Sequence, residues 1–180
     1  MKRIFLTVLL GLSINIAFAQ LTPKSSSKEV STAELIQKRE SQKQEVIAKY
    51  LETKNRLVLS DSVGTRKAAA GLALALNKFK FKKLTLEDMN SATSTRTKIK
   101  NLADSMALTS SINKQRKYMM ELSQEMWTII DKLVPEKTVL YEQKCPMTGK
   151  TWLSDEKEIK NPYYPKNMLT CGAVNASVGE

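Results

Sequence analysis

Four consecutive segments with the apolar spacing of amphipathic helices constrain the fold of this chain most strongly. Each follows a residue whose side chain can accept hydrogen bonds from the backbone N–H groups of a first turn: Ser31, Ser60-Asp61, Thr85 and Ser110-Ser111. The fourth segment ends at Pro135, because proline has no backbone N–H to donate. Short joins make neighbouring helices antiparallel. The sequence therefore predicts an all-α fold, with an antiparallel four-helix up-down bundle over residues 31–135.

The core of this predicted bundle is the apolar stripe of each segment. The first stripe ends near Leu59, and the second helix is expected to end near Phe81. The residues that the second helix is expected to bury are Val63, Ala68, Leu72, Ala75, Leu76 and Phe79. The methionines of the third and fourth segments could form a copper track, but their helical spacing favours core packing. These methionines are Met89, Met106, Met119, Met120 and Met126.

Helical periodicity disappears after Pro135. Residues 136–180 are rich in proline, glycine and aromatic side chains, and they contain both cysteines of the chain. We expect this segment to form a turn-rich, cysteine-containing appendix packed on the bundle. Within it, Thr138 to Tyr141 has the composition of a short strand.

The first nineteen residues have the pattern of a secretory signal peptide. Lys2-Arg3 precede an apolar run over residues 4–16 and an Ala17-Phe18-Ala19 cleavage motif, so cleavage is expected between Ala19 and Gln20. The run is shorter than the about 20 apolar residues that span a bilayer. Residues 20–30 read as a flexible leader. We therefore expect a mature protein in the periplasm or secreted, and not an integral membrane protein.

The chain contains no histidine, and this excludes many familiar sites. Ser-His-Asp and Cys-His catalysis, His-ligated zinc and His-ligated haem all need an imidazole. The formal net charge of +11 would suggest nucleic acid in a cytoplasmic protein. In an exported protein the same charge indicates a partner such as anionic lipid, polysaccharide or an acidic protein. A solvated lysine-rich surface without a partner is the simpler interpretation. We expect a binding protein that is not an enzyme and has no nucleic-acid partner.

Two short sequences in the tail place sulfur atoms in near mirror order. Cys145-Pro146-Met147 and Met168-Leu169-Thr170-Cys171 are separated by a turn-rich segment that could fold them together. Thiolate and thioether ligands select soft ions such as Cu(I), and the chain has no imidazole to compete. The candidate metal ligands are therefore Cys145, Met147, Met168 and Cys171.

A disulfide between Cys145 and Cys171 is the alternative for the same residues. Paired cysteines are common in exported proteins, and closing a loop of about 25 residues would stabilise the fold by roughly 3 to 4 kcal/mol. The methionines would then only fill gaps in the packing. A thiol-disulfide exchange enzyme is less favoured, because neither cysteine lies in a Cys-x-x-Cys pair.

The tail also resembles a known family. The residues from Tyr141 to Met147, from Trp152 to Tyr164 and from Met168 to Gly172 closely resemble a domain of unknown function, numbered 3347, of exported bacterial proteins. The preceding helices resemble the same family only in pattern, at Tyr50-Leu51 and in the alanine-rich stretch from Ala68 to Leu76. Members stand alone or lie at the end of periplasmic adaptor subunits of copper/silver efflux pumps. The resemblance implies heavy-metal handling by the four sulfur residues named above. Many relatives have a histidine at the position of Lys144. The lysine removes this possible nitrogen ligand, so a metal site here would use sulfur ligands.

Two functions follow as expectations. The first is a periplasmic accessory protein that binds Cu(I) or Ag(I) through the tail and passes it to a metal efflux or delivery protein. The second is a helical interaction module whose tail is held by a disulfide, without metal.

Overall fold

The computed structural model describes residues 32–179, which form five helices and three strands. The helices are α1 (Ala33–Val58), α2 (Ser62–Lys78), α3 (Leu86–Leu108), α4 (Ile112–Thr128) and the single turn α5 (Ile130–Leu133). The strands are β1 (Leu140–Lys144), β2 (Thr151–Ser154) and β3 (Ala173–Val178). The predicted signal peptide and leader, residues 1–19 and 20–30, lie outside the described part.

Side-chain caps begin the four long helices, as the sequence predicts. Asp61, Thr85 and Ser111 each accept a hydrogen bond from a backbone N–H in the first turn of α2, α3 and α4. The cap of α1 is Thr32, whose hydroxyl accepts from the N–H of Leu35 at 3.3 Å, rather than the predicted Ser31. The predicted fourth segment is broken at Ile129, so that α5 is a separate turn before Pro135.

The long helices pack in chain order. α1 packs on α2, α2 on α3 and α3 on α4, as expected where short joins connect antiparallel neighbours. Contact between α1 and α4 is small, and α4 contacts strand β2 more than it contacts α1. The structure therefore shows four long helices that pack in chain order, but it does not confirm the predicted four-helix up-down bundle, because α4 packs on the sheet more than on α1.

The all-α prediction is wrong, because residues 140–178 contain an antiparallel sheet. Its strand order is β2-β1-β3, with Gln143 opposite Trp152 on one side and Val174 on the other. β1 is buried at most positions and β2 at three of four, since both pack against the helices. The strand predicted at 138–141 is β1, shifted toward the C-terminus.

The core joins the helices to the sheet. Met106, Met119 and Met126 are fully buried, and Met89 and Met120 pack against the core, which confirms the packing prediction for these methionines. Trp152 and Tyr163 are buried with their rings edge to face at 5.7 Å. Val63 is the exception among the expected core residues, because it lies in the first turn of α2 and is 63% exposed. No helix within residues 32–179 is long and apolar enough to cross a membrane.

Candidate functional site

Cys145 directly follows β1 and begins the hairpin that leads to β2. Its N–H donates to the carbonyl of Lys150 at 2.9 Å, and its carbonyl accepts from the N–H of Gly149 at 2.8 Å. Gly149 takes the left-handed conformation, with φ of 68°, which glycine adopts without steric cost. The turn formed by residues 146–149 is exposed along its length and covers the buried Cys145 side chain.

The thiol of Cys145 is surrounded by hydrogen-bond donors. The residue is 0% exposed, and its sulfur accepts from the side chain and backbone of Thr148, from the N–H of Met147 and from the side chain of Asn161. Burial is the largest single influence and raises the pKa of the thiol, but the four hydrogen bonds together lower that pKa below its ordinary value. Such donors stabilise the thiolate, the form that binds metals and acts as a nucleophile.

Asn161 connects the two cysteine-containing segments. Its Oδ1 accepts from the backbone N–H of Tyr163 at 2.9 Å and of Tyr164 at 3.3 Å. Its Nδ2 donates to the carbonyl of Cys171 at 3.1 Å, and the same side chain hydrogen-bonds the sulfur of Cys145. One fully buried amide therefore holds the turn after β1 and the segment before β3 at the same end of the sheet.

The two cysteines do not form the disulfide that one sequence interpretation expects. Both are free thiols and lie beyond disulfide distance. The strand register explains why: Lys144 pairs with Ala173, so the position opposite Cys145 is Gly172 rather than Cys171. A Cβ at Gly172 would lie 3.3 Å from the carbonyl oxygen of Lys144, which agrees with this register. Bridging the cysteines would need backbone movement.

The other two predicted ligands, Met147 and Met168, lie in the same two turns as the cysteines. Met147 is 72% exposed, in the turn that covers Cys145. Met168 and Cys171 are half-buried, and the carbonyl of Met168 accepts from the N–H of Cys171 at 3.1 Å. In the part of the chain that the structure describes, no three His, Cys, Asp or Glu side chains are grouped so that they could hold a metal ion.

A buried polar cluster, missed by sequence reasoning, fixes the tail to the helices. The hydroxyl of Tyr50 on α1 accepts from the N–H of Leu153 at 3.0 Å, and Ser123 on α4 lies within hydrogen-bond distance of both Tyr50 and Tyr163. We call these four residues the tyrosine cluster. The one signal for it in the sequence is Ser123, a polar residue beside the apolar stripe of the fourth segment.

Lys54 is a second buried polar residue that the sequence did not single out. It is 2% exposed, and its Nζ donates to the hydroxyl of Ser154 on β2 at 3.3 Å. Burial lowers the pKa of this lysine, against a smaller opposing influence from Asp155 and Glu156. The contact joins α1 to the sheet one turn along from Tyr50.

Comparison with known proteins assigns a family to the helical part. A family model described as "Protein of unknown function (DUF3347)" matches residues 46–138, just over half of the chain. The chain belongs to the DUF3347 family. The match runs from the middle of α1 to the residues before β1, so it covers the helices and not the tail. The match confirms the family that the sequence resembles, over the helices that resembled it only in pattern and not over the tail that resembled it most closely. No curated protein and no solved structure matches the chain.

Proposed function

We propose that this DUF3347 protein is an exported accessory protein that binds Cu(I) or Ag(I), with Cys145 as the anchoring thiolate. The environment of the Cys145 sulfur carries the proposal. Four hydrogen bonds favour the thiolate, which is the soft ligand that these ions prefer, and an ion would reach the buried sulfur by displacing the exposed turn 146–149 that covers it. The resemblance of the tail to domains at the end of copper/silver efflux adaptors supports the same function.

The other three sulfur residues complete the proposed site. Met147 shares the turn of Cys145 and exposes its thioether, so it meets an incoming ion first. Cys171 and Met168 belong to the neighbouring turn, which Asn161 ties to the sulfur of Cys145. Thiols and thioethers fit Cu(I) and Ag(I) and are poor ligands for Mg²⁺ or Ca²⁺. The protein would buffer the ion and pass it to an efflux or delivery partner, without catalysing a reaction.

An anaerobic titration of the reduced protein with Cu(I), against a competing chelator, tests this proposal. We expect stoichiometric binding that is lost in Cys145→Ser and weakened at least tenfold in Met147→Leu and Cys171→Ser, because each removes a soft ligand. Met120→Leu, which changes a methionine packed against the core, is the matched control and should bind like the wild type. Absence of Cu(I) binding by the reduced wild type, or equal loss in the control, would refute the proposal.

The tyrosine cluster favours a second candidate, an interaction module without metal. It shows a tail docked on the helices by hydrogen bonds, with neither a disulfide nor an ion needed for the contact. This candidate predicts that chelators leave the melting temperature unchanged and that Cu(I) does not raise it. The proposed metal site predicts a rise, since a ligand that binds the folded state stabilises it.

A further inference from the structure

One end of the helical part combines exposed aliphatic side chains with unpaired cations. It consists of the α1–α2 turn, the α3–α4 turn and the first two turns of α2 and α4, and we call it the loop end. Leu59, Val63 and Leu108 lie there with exposed fractions of 71%, 63% and 84%. Single exposed apolar side chains need no explanation, but several that share one surface can mark an interaction site.

Hydrogen bonds across the two turns show that these residues belong to one surface. The hydroxyl of Ser62 donates to the carbonyl of Ser110 at 2.5 Å, and Arg66 donates to the carbonyl of Ala107 at 3.0 Å. Gln115 bridges both turns, with bonds of 3.1 Å to the carbonyl of Ser62 and 2.8 Å to that of Thr109. Leu59 and Val63 therefore lie beside Leu108 rather than at unrelated places.

The charge of the loop end is one-sided. Arg66 and Lys67 on α2 and Lys114 and Lys117 on α4 are exposed and make no ion pair with any residue in the range 32–179. The first turns of α2 and α4 contain no acidic residue. The nearby carboxylates of Asp61 and Asp104 are already paired, with Arg56 at 3.2 Å and with Lys100 at 2.7 Å.

The opposite end of the same helices has a different character. α1 and α3 begin there, and their first turns carry Glu34 and Glu87-Asp88. Leu86 is 78% exposed at that end, at the far end of α3 from Leu108, a separation of about 33 Å along the helix. Exposed leucine and exposed lysine therefore occur at both ends. The loop end differs because the first turns of its helices α2 and α4 contain no carboxylate.

We propose that the loop end docks on an anionic phospholipid surface. The aliphatic side chains enter the interface between headgroups and acyl chains, while the surrounding cations contact lipid phosphates. The loop end joins exposed aliphatic side chains to cations whose neighbouring carboxylates, Asp61 and Asp104, are already paired. An interface of acyl chains and anionic headgroups accepts this combination.

Vesicle sedimentation tests this proposal with the chain that starts at Gln20, since the apolar run at residues 4–16 would itself bind lipid. We expect binding to vesicles of phosphatidylglycerol, much weaker binding to phosphatidylcholine, and release by salt. Leu59→Ser with Leu108→Ser should lower the partition coefficient at least tenfold. Lys67→Gln with Lys114→Gln should lower it about 25-fold, at about fivefold per cation.

Matched variants at other surfaces serve as controls. Leu74→Ser with Leu86→Ser removes two leucines that are 62% and 78% exposed, and Lys38→Gln with Lys80→Gln removes two exposed lysines away from the loop end. Both should bind vesicles like the wild type. All variants must keep the wild-type circular dichroism spectrum. Failure to bind phosphatidylglycerol, equal losses in the controls, or binding to poly-glutamate in place of vesicles would overturn the proposal.

Discussion

The hydroxyl oxygens of Tyr50 and Ser123 lie 2.7 Å apart, although 73 residues separate them in the chain. This contact joins α1 to α4 at the place where the sheet packs on the helices. Leu153 on β2 donates its N–H to Tyr50, and Tyr163 reaches Ser123 from the tail. The tail is therefore fixed to the helices by buried hydrogen bonds, whose loss has measurable consequences.

Replacement of Tyr50 by phenylalanine should destabilise the protein. The ring would still pack, but the buried N–H of Leu153 would lose its partner, which typically costs about 1 to 3 kcal/mol, and Ser123 would keep only Tyr163. Urea unfolding followed by circular dichroism measures the loss. Tyr118→Phe is the control, because the half-buried Tyr118 hydroxyl makes no hydrogen bond within residues 32–179. A Tyr50→Phe midpoint equal to that of the control would contradict the role of the cluster.

The two buried tyrosines, Tyr50 and Tyr163, should lose their protons only at high pH. Burial raises the pKa of Tyr50 to about 12 and raises the pKa of Tyr163 well above its ordinary value. The stability gained by keeping Tyr50 neutral is present below its unfolded pKa of about 10 and is lost as the pH rises through 12. Ultraviolet titration of tyrosinate should show two of the five tyrosines ionising after the others, together with unfolding. Simultaneous ionisation of all five in folded protein would disprove this.

Replacement of Lys54 by methionine should remove one component of the pH dependence. Burial lowers the pKa of Lys54 in the folded state, so its charge opposes folding at neutral pH, and this penalty disappears as the pH rises toward the unfolded pKa of 10.5. Lys54→Met should therefore be as stable as the wild type or more stable by up to about 2 kcal/mol at pH 7. The difference should shrink near pH 10, as measured by urea unfolding at both pH values. Lys49→Met, on the same helix but half-exposed, should show no such trend.

Removal of one donor to Cys145 should raise the pKa of its thiol. Thr148→Val removes the hydroxyl that hydrogen-bonds the sulfur and changes an exposed turn residue, so folding should be unaffected. In a Cys171→Ser background Cys145 is the single thiol, and thiolate absorbance as a function of pH reports its pKa directly. Thr170→Val, an exposed threonine of the other turn, is the control. An unchanged pKa in Thr148→Val would show that the hydroxyl does not stabilise the thiolate.

Local signals in the sequence predicted the helices well. A capping side chain and helical spacing act within one or two turns, so Asp61, Thr85 and Ser111 identify the helix starts without knowledge of distant residues. The exposed Val63 shows the limit of this reasoning. Apolar spacing identifies a face, but only the position of the neighbouring helices decides where along α2 that face is covered.

The sequence alone determined the caps of three of the four long helices, the methionine packing and the presence of two cysteines in a separate tail. Tertiary structure decided the rest, because it depends on partners far apart in the chain. The sheet forms because β1 pairs with β3, about thirty residues away, and packs on the helices. The register that places Gly172 opposite Cys145 keeps the thiols apart, and Asn161, which no local pattern singles out, gives the Cys145 sulfur one of its hydrogen bonds. Strand pairing and burial fix such contacts, and neither is encoded within a few neighbouring residues.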